Sequence, residues 1–299
     1  MEIDRKDLKR QARLLMAAPR PSFWLVTLTY FLLTTGLSSV ASFLFPMEGS
    51  LQELNLPALF STILLLLLGL VMDFGYTLWS MGCARECSPT LGILFDGFSH
   101  TTSVLLMNLL IYIYTLGLAF LVTIPLSMVF SFLLMMFWDQ QVLFLLCLAL
   151  LMAFCVAISI AISLRYALAP YLLADYPEEG ASAAIRRSVF MMQGYKWELF
   201  KLHFSFIGWH ILSLCIQLVI LAAALLLGVG SSLPAGASPT DIAAMVNTVA
   251  FLPAVSALMA LLALPLELWL KPYISVTSAL FYDLRSQPDL DDIPLLNID

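Results

Sequence analysis

An all-α integral membrane protein is the fold class this sequence predicts, with six transmembrane helices as three hairpins and amphipathic helices at the cytoplasmic interface. Composition comes first: 61% of the 299 residues are hydrophobic and 11% charged, where a soluble domain is about 25% charged. Mean hydropathy is +0.95. Several apolar runs also exceed the roughly 20 residues a helix needs to cross the hydrocarbon core. Finally, every Lys and Arg falls on one side of the implied layout, and that bias marks the cytoplasmic face.

Residues 1–21 are expected to form a cytoplasmic amphipathic helix. Leu8, Ala12 and Leu15 share one face, Lys6, Lys9, Arg10 and Arg13 the opposite one, and Asp4 can cap its start. Such a helix lies in the interface with its basic face toward anionic headgroups. Six spans follow, at about 22–45, 57–81, 103–137, 142–174, 199–230 and 242–282, all within one membrane domain covering 1–299. The run Ser22–Phe45 is too long for the apolar core of a secretory signal and reads as a retained first span.

Three segments exceed one crossing at about 1.5 Å per residue. Counting about 20 residues inward from Val142 and Ile242 places the cytoplasmic boundary near Ala161 and Leu262. "RYALAPYLLADYP" and "ELWLKPYISVTSALFYDL" then become helical extensions along the inner leaflet. Each holds a Pro-Tyr pair, Pro170-Tyr171 and Pro272-Tyr273, where proline should kink or break the helix. Residues 283–299 form an acidic cytoplasmic tail, solvated unless it recruits a partner.

The connections "PMEGSLQELNL", "DQQ" and "SSLPAGASPTD" contain no Lys or Arg. Basic residues gather instead before the first span, beside the second and fourth (Arg85, Arg165), before the fifth (Arg186, Arg187, Lys196, Lys201) and near the end (Lys271, Arg285). Both termini are therefore expected in the cytoplasm. A weak internal repeat accompanies this layout. "LKRQARLLMAAPRPSFW", "LGILFDGFSHTTSVL" and "AIRRSVFMMQGYKWELF" each read as an interfacial helix, a turn at Ala18, Gly97 or Gly194, and an outgoing span. Any membrane hairpin with a cytoplasmic start shows some of this pattern.

The third copy is the most distinctive. Ile185, Val189 and Met192 make an apolar stripe with Arg186 and Arg187 opposite, and Gly194 suits a left-handed stop. A new helix begins at Tyr195 to Lys196, with Trp197 and Lys201 holding its start at headgroup depth. Two readings stand: simple anchoring, or a phosphate or lipid-headgroup contact made by Arg186, Arg187, Lys196 and Trp197.

Charge inside a span is costly and usually paired. Asp73 lies within the inner half of the second span, and Arg165 and Glu267 fall at matching depth. Glu267 also precedes Lys271 by four residues, the favourable order for a helical ion pair. Asp73, Arg165, Glu267 and Lys271 thus form a candidate cluster near the inner leaflet, serving as gate, substrate site or latch. The alternative is snorkelling side chains and one local pair.

Other classes find no footing. A formal charge of −6 lacks the broad basic face of a nucleic-acid binder. His203 and His210, seven residues apart on one helix face, stand roughly 10 Å apart, too far to share a metal ion readily. Cys83 and Cys87 in "CAREC" lack further ligands for zinc and read as reduced thiols. There is no HExxH, GxSxG or Walker loop. No catalytic, cofactor-binding or metal residue is assigned, and enzyme activity is not expected.

The stretch "LADYPEEGASAAIRRSVFMMQGYKWELFKLHFSFIGW" resembles the signature of domain of unknown function 975, an uncharacterised bacterial membrane family. The matching positions are Asp175, Pro177, Ala184, Ile185, Ser188, Met191, Met192, Gly194, Lys196, Phe200, Leu202, Ser205, Phe206, Ile207, Gly208 and Trp209. The resemblance extends to "DRKDLKRQARLLM", "FGYTLW", "LFDGF" and "LKPYISVTSALFYDL", nearly the whole chain. Tyr195 stands where the family often has His, which counts against a proton carrier there. The resemblance implies a multi-span bacterial membrane protein without an established activity, and the expected location is the cytoplasmic (inner) membrane. A more distant similarity to membrane domains of glycerophosphodiester phosphodiesterases implies a lipid-related context. The functional expectation is non-catalytic transport or contact with anionic membrane lipids at the inner leaflet. The alternative is a scaffold or accessory subunit that binds another membrane protein or a second copy of itself.

Overall fold

A computed structural model describes residues 5–17, 22–45, 56–87, 89–136, 140–226, 246, 249 and 253–286. Asp4, Ala18, most of the three connections free of Lys and Arg, the first part of the sixth span and the tail from 287 lie outside the described residues. The described residues are helical with no strand. Six stretches are long and apolar enough to cross a membrane: Phe23–Leu44, Leu56–Ala84, Ile93–Leu133, Val142–Asp175, Ile207–Leu225 and Ala257–Ser286. The chain divides into two compact units, Met1–Phe95 with Leu202–Leu280, and Asp96–Lys201 with Phe281–Asp299.

In the first unit, α1 (Arg5–Met16) buries Leu8, Ala12 and Met16, one residue per turn, and packs on α4 (Leu56–Ala84). The expected face held Leu15 instead; Leu15 is only half-buried, because the i, i+4, i+8 row continues to Met16. This apolar stripe therefore meets protein. Helix α2 (Phe23–Phe31) runs through a π-helical turn, Leu32–Gly36, into α3 (Leu37–Leu44). Val26, Thr27 and Tyr30 form its buried face.

Helix α4 is buried mainly in its second half, from Val71 to Cys83. Gly75 makes this packing possible, because a Cβ there would lie 2.0 Å from the Leu94 carbonyl oxygen. Its end is closed by paired bonds, Cys87 N–H to Gly82 O at 2.9 Å and Glu86 N–H to Cys83 O at 3.2 Å, with Glu86 left-handed at φ 56°. The helix thus stops inside "CAREC", leaving Cys83 buried and Cys87 exposed rather than on one helical face.

The expected fifth span is interrupted. Helix α10 (Lys196–Phe204) ends at a turn over Ser205-Phe206, and α11 (Ile207–Leu226) starts anew. The turn separates His203 from His210, so they do not share one continuous helix face. In contrast, α12 (Pro253–Ser286) runs on through Pro265 and through Pro272, where a kink or a break was expected, and is not broken there. Helices α11 and α12 run antiparallel: Trp209 meets Trp269, Ser213 meets Glu267, and Ala224 meets Val255.

In the second unit, α5 (Ile93–Asp96) contributes Asp96 and leads through a 3-10 turn, Gly97–His100, into α6 (Thr101–Met136). Gly97 therefore continues helical backbone, whereas Gly194, after α9, has φ +80°. The lead-in segments are consequently unequal. Helix α6 packs on α7 (Gln141–Tyr166), and α8 (Ala169–Asp175) starts with Pro170 in its first turn, where its missing N–H costs nothing. Helix α9 (Gly180–Met191) packs on α6, α7 and α8. Its buried stripe is Ala181, Ala184, Ile185 and Ser188, all but Ile185 small residues that admit close backbones, while Val189 is half-buried.

Candidate functional site

The first unit contains a connected polar assembly on three otherwise apolar helices. Asp73 of α4 accepts a hydrogen bond from the Tyr30 hydroxyl at 2.7 Å and pairs with the Lys271 ammonium at 3.1 Å, both on Oδ1. Lys271 Nζ also lies 3.8 Å from the Tyr30 ring centroid and 5.1 Å from that of Tyr76, inside cation–π range. The two rings meet edge-on at 5.2 Å.

Further bonds hold the rings. Thr27 Oγ1 donates to Phe23 O at 2.8 Å, so the Tyr76 hydroxyl is the donor in its own 2.8 Å bond to Thr27. Trp79 packs at 5.3 Å against Tyr76 and is fully buried, its indole N–H without an acceptor among the described residues. The π-helical turn begins two residues after Tyr30, and Thr34 Oγ1 donates back to Tyr30 O. Such turns recur at functional sites because one wider turn re-aims the side chains beside it.

Of the four charged positions singled out by sequence, Asp73, Glu267 and Lys271 lie in the first unit and Arg165 in the second. Asp73 and Lys271 are joined, but the Lys271 partner is Asp73 rather than Glu267. Glu267 faces α11, where Ser213 Oγ donates to it at 3.2 Å. Two aromatic faces and a carboxylate on α4 compete for Lys271 better than a single carboxylate four residues back. Arg165 belongs to the second unit. There its carbonyl accepts from Ser188 Oγ at 3.0 Å, and its Nε is buried without a partner.

Ser188 is fully buried and doubly used, since its Oγ also accepts from Leu168 N–H at 3.2 Å. It thereby satisfies the backbone freed where α7 breaks before α8. Nearby, the Tyr282 hydroxyl donates to Asp175 at 2.7 Å while its ring stacks on Tyr171. Arg285 lies 3.8 Å over the Tyr195 ring.

The basic lead-in to α10 is uneven. Arg187 is held by Glu179 at 2.8 Å and lies over Tyr176, whereas Arg186 is exposed with no ion pair among the described residues. Lys196 is half-buried, and Trp197 stacks on Phe200 with 63% of its surface exposed. In the first unit, Lys9 donates to Ser205 O at 3.1 Å and sits 4.0 Å from the Phe206 ring, covering the carbonyl freed at the turn. Burial, with Arg13 and Arg5 beside it, lowers its pKa below the ordinary lysine value. No group of His, Cys, Asp and Glu suited to a metal ion occurs among the described residues.

Sequence reasoning passed over Thr27 and Tyr30, and met Tyr76 and Ser188 only as parts of the family resemblance, with no role assigned. The available signal was hydroxyls spaced along apolar helices, where cross-helix hydrogen bonds concentrate.

A comparison with known families matches residues 1–287 to one described as "Protein of unknown function (DUF975)". The chain belongs to that family. The match includes the polar assembly of the first unit as well as the lead-in to α10. No curated protein and no solved structure matches the chain. The similarity to glycerophosphodiester phosphodiesterase membrane domains therefore finds no support, and family membership fixes no activity.

Proposed function

We propose that this family member is a multi-pass protein of the bacterial inner membrane, inserted as three hairpins with both termini cytoplasmic. It acts without catalysis, through contact of its cytoplasmic face with anionic lipid headgroups. Supporting this reading is Arg186, an exposed guanidinium with no ion pair among the described residues, on a stretch that also exposes Phe190 one turn on and Trp197 at the start of α10. A cation flanked by aromatic rings is the composition that suits headgroup depth. Each basic residue near an anionic surface contributes about 1 kcal/mol.

Native mass spectrometry of detergent-extracted protein tests this. Wild type should retain phosphatidylglycerol, and Arg186→Ala should lower the bound fraction about fivefold, as loss of one such contact implies. Arg187→Ala should do less, because Glu179 already engages that group. Equal retention in the double variant would defeat the proposal.

A second reading, scaffold or accessory subunit, draws on α6 and α7. Between Asn108 and Leu133, and between Val142 and Ala161, no residue is buried by the rest of the chain. Those faces are covered by lipid or by another protein.

A further inference from the structure

We propose that the first unit carries a binding site for an organic ammonium group, formed by the Asp73 carboxylate and the ring faces of Tyr30 and Tyr76. Lys271 is its internal occupant, displaced when the ligand binds. This site shares no residue with the anionic-lipid contact and takes a ligand of opposite charge, so neither stands on the other.

Recognition of an alkylammonium requires a counter-charge and aromatic faces within about 6 Å of the cation. Lys271 finds both, at 3.1 Å from Asp73 and 3.8 and 5.1 Å from the two ring centroids. The enclosure does not depend on Lys271. Tyr76 is fixed through Thr27 to the α2 backbone, and Tyr30 through its hydroxyl to Asp73. Both rings are buried in the unit, at 2% and 7% exposure. The aromatic corner therefore persists when the ammonium leaves.

The ion pair, by contrast, is open. The Asp73 side chain is 56% exposed, and both its contacts fall on Oδ1. Among the described residues its Oδ2 accepts no hydrogen bond, which leaves an approach for a second cation. Lysine suits an occupant that exchanges, being a point charge on a flexible four-carbon stem. The π-helical turn directly after Tyr30 adds a local distortion of the kind that accompanies sites rather than plain packing.

Depth fits a headgroup as well as a free amine. Asp73 lies 17 residues from the start of α4 at Leu56, or about 26 Å along a helix rising 1.5 Å per residue. A hydrocarbon core is about 30 Å thick. The shared chemistry is thus a primary or quaternary ammonium, borne either by an ethanolamine or choline phospholipid or by a soluble amine.

The test titrates full-length protein in detergent with tetramethylammonium chloride, against sodium chloride at equal ionic strength, and follows thermal unfolding. Removing the occupant should help: Lys271→Gln should respond to tetramethylammonium at least tenfold more tightly than wild type. Asp73→Asn and Tyr30→Leu should abolish that response. Identical behaviour of Lys271→Gln in the two salts overturns the proposal. If Lys271→Gln does not fold, wild type is titrated to high concentration. A rise specific to tetramethylammonium and lost in Asp73→Asn then supports the site, and equal midpoints overturn it. Nanodiscs of phosphatidylethanolamine, phosphatidylcholine and phosphatidylglycerol separate the sources. Enrichment of an ammonium lipid on Lys271→Gln by native mass spectrometry assigns the headgroup, and no enrichment beside a retained tetramethylammonium response assigns a free amine.

Discussion

The two units use apolar helices in opposite ways. In the first, α2, α4, α11 and α12 are joined by polar side chains lying within the apolar stretches themselves: Thr27, Tyr30, Asp73, Tyr76, Ser213, Glu267 and Lys271. In the second, the middles of α6 and α7 hold half-buried and exposed residues but no fully buried one, and the polar contacts gather after Arg165, in α8, α9 and the last turns of α12. Six apolar runs thus conceal two kinds of helix. Polar groups mark the ones whose faces are committed to partners within the chain, since a hydroxyl or carboxylate in an apolar stretch is stable only where something answers it.

If the first unit is fixed by close helix contact, its most sensitive point is where two backbones touch. Gly75→Ala would set a Cβ 2.0 Å from the Leu94 carbonyl oxygen, a distance that neither side-chain rotation nor a small shift can relieve. The expected loss is about 3 kcal/mol, the upper end of ordinary overpacking, seen as a lower unfolding midpoint in detergent. Retention of the wild-type midpoint would mean that α4 and the Leu94 backbone are not in contact.

The second unit should break elsewhere, at its polar joints. Ser188→Ala strands the Leu168 N–H and the Arg165 carbonyl in a buried setting, a cost of about 2 kcal/mol. Tyr282→Phe keeps the stack on Tyr171 and removes only the bond to Asp175, for about 1.5 kcal/mol. Both are read from denaturant or thermal unfolding. If neither matters while Gly75→Ala does, the second unit owes its order to something other than these contacts.

How much of this was legible follows from the kind of signal each feature leaves. Helix content and the six apolar runs follow from composition and length, and Gly194 as a stop follows from glycine's tolerance of positive φ. Asp73 and Lys271 stood out because charge is rare in such runs. Their pairing did not, because Glu267 at i, i+4 offers a local partner and sequence carries no distance across 198 positions. The turn at Ser205-Phe206 was hidden for another reason: neither residue breaks a helix by itself, and a Lys9 ammonium nearly two hundred residues away answers the freed carbonyl. Proline misled in the other direction. Pro272 removes one backbone donor, yet α12 continues, held on both sides of it by Lys271 to Asp73 and by the Tyr273 ring against Phe206 and Trp269.

The smallest expected effect decides most about the exposed face of the second unit. Leu121, in the middle of α6, is 72% exposed, so Leu121→Ala removes little contact within the chain. Exchange of one apolar group for another against lipid or detergent should then change stability by less than about 0.5 kcal/mol. A cost of a few kcal/mol is what a Leu→Ala change brings at a covered position. Light scattering of the same sample supplies the second reading. If Leu121→Ala is silent and the mass is that of one chain, α6 and α7 face lipid, and the contrast between the units is one of packing alone. If the substitution both destabilises and lowers the assembled mass, a second copy covers that face, and the scaffold reading gains what the anionic-lipid reading does not explain.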